Sequence, residues 1–89
     1  MDEVLVNIEE GKRIKIKNSN NIEEFNILGE YTVTMENCYN IQTLNIVRSR
    51  QTPVKFINCQ SINVLIYNKA GKLISTMYIG KINRMSIKL

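Results

Sequence analysis

Cys38 and Cys59 are the residues of this chain best equipped for covalent or metal chemistry, and each follows an asparagine in a matching Asn-Cys pair. A thiol becomes a strong nucleophile only as the thiolate, which calls for a neighbouring base. Two cysteines hold zinc only with further nitrogen or sulfur ligands. The chain contains no histidine, so His-dependent catalysis and a Cys/His zinc site are both excluded. If the two segments were stacked, the cysteine Cα atoms would fall within disulfide range. Without a secretory leader, buried free thiols that serve packing are the favoured reading over a bridge.

The carboxylates offer no better chemistry. Glu9/Glu10 and Glu23/Glu24 are sequence neighbours, so on a strand each pair points to opposite faces, and otherwise it sits in a turn. Neither arrangement makes the facing acid and base of a hydrolase. A Gly-rich phosphate loop and a nucleophile–base pair are likewise missing from the sequence. The chain therefore reads as a non-enzyme with no cofactor and no bound metal.

Charge is distributed unevenly. All eight acids lie at or before residue 36, among four bases, whereas residues 37–89 carry eight bases and no acid. In a stacked architecture sequence order becomes spatial order, which predicts an acidic N-terminal end and a basic C-terminal end. Arg48 and Arg50 fall in one predicted turn, Lys69 and Lys72 in the equivalent turn of the next repeat, and Arg84 and Lys88 on the last repeat. They are expected to share a basic corner that binds an acidic partner surface or a phosphate backbone. A solvated edge that keeps the protein soluble is the competing reading.

These residues are positioned by a repeat. "MENCYNIQTLNIV" (35–47) returns as "FINCQSINVLIYN" (56–68), and "IKIKNSNNIEEFNIL" (14–28) matches "VTMENCYNIQTLNIV" (33–47). Towards the ends, "EVLVNI" (3–8) takes the place of "IEEFNI", and "INRMSI" (82–87) that of "INVLIY". The anchors Ile22, Ile41, Ile62 and Ile82 mark a period near twenty residues, the signature of stacked units. Within a unit the apolar residues alternate, pass a bend, and alternate again, giving two short strands. Ala and Pro each occur once, and Ile is abundant, so helix is disfavoured.

The expected fold is all-β: a small parallel β-helix, or solenoid, of about four coils with two short strands per coil, occupying 1–89 as a single domain. A leucine-rich arc and a small sandwich or barrel are the alternatives. Asn18, Asn37 and Asn58 would stack as a corner column, since Asn tolerates the left-handed backbone and can bond along the column. Ser19, Cys38 and Cys59 follow as small residues that let the chain turn inward. The interior is assigned to Ile14, Ile16, Val33, Met35, Val54 and Phe56 from one side, and Phe25, Ile27, Leu44, Ile46 and Leu65 from the other. Ile57, Val64, Ile66 and Met77 would face outward as an apolar patch for self-association. A shifted register that buries them is the alternative. The longest apolar runs are too short to span a bilayer, and the expected location is cytoplasmic, without membrane contact.

The segments "VKFINCQSINVLIYNKAGKLISTMYIG" and "GEYTVTMENCYNIQTLNI" resemble the C-terminal β-helix of adenylyl cyclase-associated proteins and, more distantly, the tubulin-binding cofactor C domain. The resemblance covers residues 14 to about 72. It implies a non-enzymatic module that dimerises and binds actin, although this chain is shorter and lacks a long C-terminal extension. In the cofactor C branch an arginine assists GTP hydrolysis. The motif around Arg48 and Arg50 does not match, and that role is not carried over. The sequence therefore predicts a homodimeric protein-interaction module with a protein partner, cytoskeletal if the resemblance holds. The competing function is that of a small viral or mobile-element protein that binds nucleic acid, or inhibits a nucleic-acid enzyme, through its basic C-terminal half.

Overall fold

The computed structural model describes residues 5–9, 13–28, 32–47 and 53–88. Alternating β-branched and polar residues in "RIKIK" and "TVTME" suit a strand with one buried face, and both segments are strands. Seven strands form, with no helix among the described residues: β1 (Leu5–Glu9), β2 (Arg13–Lys17), β3 (Asn20–Leu28), β4 (Thr32–Glu36), β5 (Tyr39–Val47), β6 (Pro53–Tyr67) and β7 (Leu73–Lys88). They belong to one sheet that curls around the core, with β6 at its centre.

Three strand–bend–strand units stack in parallel. In the first arm β2, β4 and the start of β6 lie side by side, aligning Ile14 with Val33 and Val54, and Ile16 with Met35 and Phe56. In the second arm β3, β5 and the end of β6 do the same, aligning Ile22 with Ile41 and Ile62. The interior follows from this register. Val33, Met35, Val54, Phe56, Ile41, Leu44, Ile46 and Ile62 are fully buried, with Ile14 and Phe25 packed against them. Each such side chain contributes roughly 1.5–3 kcal/mol of transfer free energy.

The expected fourth winding is replaced by a reversal of direction. Residues 68–72 make a hairpin turn in which the Asn68 N–H donates to the Lys72 carbonyl at 2.9 Å and the Gly71 N–H to the Asn68 carbonyl at 2.9 Å. The Asn68 side-chain oxygen accepts from the Ala70 and Lys72 N–H groups. Gly71 sits at φ 86°, where a Cβ would strain the backbone. The chain then returns as β7, antiparallel to β6 and in unbroken register from Pro53↔Lys88 to Ile66↔Ser75. Ile82 thus faces Cys59, while Ile79 faces Ile62; Ile82 is not the fourth anchor. At the other end β1 pairs antiparallel with β2 and does not precede β3 in the stack. Antiparallel strands flank the parallel core, β7 along the whole of β6 and β1 along β2 of the first arm.

Register also corrects the apolar patch. β3 and β5 carry an extra residue between their second-arm anchors, Ile22 to Phe25 and Ile41 to Leu44, and β6 lacks it. Leu44 therefore lies beside Val64, and Ile46 beside Ile66, which buries Val64 and Ile66 and turns Leu65 outward. Met77 faces Val64 and packs against the core. Of the four residues expected outside, only Ile57 is there, half-buried between Glu36 and Arg84 in register. The physical cause is the neighbour: β6 must match β7 residue for residue, so it keeps the strict two-residue period.

Candidate functional site

The bend between the arms is built from two asparagine-rich columns. Asn18, Asn37 and Asn58 have φ of 56°, 55° and 51°, and Asn21, Asn40 and Ser61 have φ of 57°, 56° and 59°. Two left-handed residues separated by two others turn the chain sharply, and Asn adopts this region more easily than most side chains. Within the corner column Asn58 Nδ2 donates to Asn37 Oδ1 at 2.7 Å. The second column went unforeseen, and there Asn40 Nδ2 donates to Asn21 Oδ1 at 3.1 Å. A third pair joins Asn45 Nδ2 to Asn26 Oδ1 at 2.9 Å on the outer face of the second arm. Backbone bonds carry the ladder through the bend, from Asn18 N–H to the Glu36 carbonyl and from Asn37 N–H to the Ile57 carbonyl.

Cys38 and Cys59 are free and buried inside this bend. Each thiol reaches back one unit: Cys59 Sγ lies 3.4 Å from the Met35 carbonyl oxygen and Cys38 Sγ 3.9 Å from that of Ile16. The hydrogen bond to Cys59, and then burial, push the Cys38 thiol up. The same bond draws Cys59 down to about 7, against burial. Both thiols are fully buried, which leaves a substrate no approach, and their placement fits packing. Ser19 continues the column, fully buried. Among the described residues no cluster of His, Cys, Asp or Glu could hold a metal ion.

The outward faces of the two arms differ sharply in chemistry. The first arm places Arg13, Lys15 and Lys17 of β2 outside, beside Thr32, Thr34 and Glu36 of β4, Lys55 and Ile57 of β6, and Arg84 and Ser86 of β7. A groove of about 310 Å3 runs between Arg13, Lys15, Thr32, Thr34 and Lys55. The second arm shows Glu23 and Glu24 on β3, both exposed at the extra residue, so the pair is not split across the strand. Beyond them β5 and the end of β6 carry no charge, and the outer row Leu28, Val47, Tyr67 and Leu73 is apolar.

Of the predicted basic corner, the described residues fall in two separate places. Lys69 and Lys72 are exposed at the hairpin turn, whereas Arg84 lies on the first arm, opposite Ile57, at the far end of β7. Arg48 and Arg50 lie outside the described residues. Along one face, Arg13, Lys15 and Lys17 from the acid-rich half line up with Lys55 and Arg84 from the basic half. Alternation was the signal that could have shown this: in "RIKIK" every other residue is a base, and the intervening isoleucines must point inward.

No family model, no curated protein and no solved structure matches the chain.

Proposed function

We propose that this protein is a non-enzymatic interaction module of the parallel β-helix type that dimerises and presents its sheet faces to a protein partner. Kinship with the β-helix of adenylyl cyclase-associated proteins belongs to the same proposal, supported by the parallel stacking of near-twenty-residue units.

The observation that carries it is the edge of β7. This strand is sixteen residues long and pairs only with β6 among the described residues, so its other edge presents unpaired N–H and C=O groups. Such an edge is a template for another strand. Leu73–Gly80 is uncharged and carries exposed Leu73, Ile74 and Tyr78, while Lys72 and Lys81 flank it. A second copy can pair this stretch antiparallel about a two-fold axis with no charge inside the paired stretch, the like charges Lys72 and Lys81 meeting only at its two ends. The partner strand is thus β7 itself.

Sedimentation across a concentration series tests this, with a dimer expected. The double variant Ile74→Lys/Tyr78→Lys replaces exposed residues and should sediment as a folded monomer. A wild type that stays monomeric throughout sinks the dimer, and an unaltered dimer in the variant moves the contact away from β7.

A further inference from the structure

We infer that the outer face of the first arm is a nucleic-acid site that grips the phosphate backbone without reading bases. The inference goes beyond the dimer, because it concerns a different face and a different class of partner.

The parallel register brings together cations that are far apart in the chain. Lys15, Thr34, Lys55 and Ser86 form one row across four strands, and Lys17, Glu36, Ile57 and Arg84 the next, with Arg13 and Thr32 at the margin. Along β2 the bases Arg13, Lys15 and Lys17 repeat every second residue, about 6.7 Å apart. Across the sheet Lys15 and Lys55 are separated by two strand spacings, about 9.6 Å. Within these rows the grid of cations meets one carboxylate, Glu36, and at the margin Glu9 of β1 lies in register with Arg13; among the described residues none of the five bases forms an ion pair. Between Lys15 and Lys55 the Thr32 and Thr34 hydroxyls line the groove and can donate to phosphate oxygens.

Charge complementarity selects the occupant. A polyanion with regularly spaced phosphates matches a rigid grid of cations, and each contact releases condensed counterions. An acidic protein surface would need an apolar anchor, and among the side chains described in these rows one is apolar, the half-buried Ile57. Among the described residues this face offers no aromatic platform for bases: Phe25 and Phe56 belong to the core, and Tyr39, Tyr67 and Tyr78 lie on the second arm. Single-strand binding draws on such stacking platforms, so the geometry favours a duplex held by its backbone.

Fluorescence anisotropy with a labelled mixed-sequence DNA duplex tests the inference across a salt series. Binding is expected at low salt, with affinity falling steeply as salt rises. In Lys15→Gln/Lys55→Gln, affinity should fall about tenfold or more and the slope of log affinity against log salt should flatten by about 1.8. The control Lys69→Gln/Lys72→Gln removes the same charge at the hairpin turn and should leave both nearly unchanged. Three results each overturn the inference: no binding at low salt, equal loss in both double variants, or displacement of the duplex by polyglutamate at equal charge. The last would identify an acidic protein as the partner. The dimer measured by sedimentation is unaffected by any of them, so the two proposals fail separately.

Discussion

The two arms share one backbone plan and differ in how literally they repeat. In the first arm the three parallel strands align residue for residue, and every second side chain is buried in or packed against the core. In the second arm β3 and β5 carry an extra residue that β6 drops, so letters that match in sequence, Leu44 and Leu65, face opposite ways. A side-chain period of two makes a one-residue slip maximal in effect, since it exchanges core for surface. Stacking of units is therefore compatible with a local change of register wherever the next strand obeys another neighbour.

The largest test of this contrast is a pair of substitutions one residue apart. Ile66→Lys places a charge where the side chain is 1% exposed, and loss of folding is expected, since an unpaired buried charge is among the most destabilising changes. Leu65→Lys points outward and should shift stability by no more than about 0.5 kcal/mol. Thermal unfolding of both variants decides it, and the reverse ranking would restore the register suggested by the letters alone.

A smaller effect separates the bend from the arms. Asn58→Ala removes the 2.7 Å bond to Asn37 and the bond to Tyr39, and places Ala at φ 51°, a loss of about 1–2 kcal/mol from the left-handed backbone alone. Asn58→Gly keeps the conformation and loses the same two exposed hydrogen bonds, to Asn37 and Tyr39, about 0.5–1.5 kcal/mol each, without the backbone strain, so it should melt above the alanine variant. Equal melting temperatures would mean that the left-handed backbone contributes nothing there.

The smallest effect is one of pH. Because the Cys38 thiol is raised in the folded protein, its share of stability is fully present below the unfolded thiol value of about 8.5 and falls as pH rises past it. Cys59, drawn down to about 7, works in the opposite sense, and only between that value and the unfolded one. Denaturant unfolding of wild type and of Cys38→Ala/Cys59→Ala should show their stability difference widening between about pH 7 and 8.5 and narrowing above that. A difference that stays constant would remove the thiol pair from the account.

One signal in the chain did record the reversal of β7, in a form easily overlooked. The inward residues of β6 are Val54, Phe56, Cys59, Ile62, Val64 and Ile66, and their partners on β7 are Ile87, Met85, Ile82, Ile79, Met77 and Ser75. The spacing of one set is the other read backwards. Matching "INRMSI" to "INVLIY" in the forward direction therefore selected a parallel winding, and the hairpin turn at 68–72 supplies the reversal.

What the amino-acid sequence determined by itself is local and periodic: the all-β character, the near-twenty-residue units, the asparagine bend and the thiols packed within it. Each follows from a residue's own backbone preference or from alternation within a few positions. Only the tertiary structure decided the direction of the flanking strands, the register of the second arm and the gathering of Lys15, Lys55 and Arg84 on one face. Those features depend on which strand lies alongside which, and pairing between distant segments is set by the fit of whole faces rather than by any single stretch of chain.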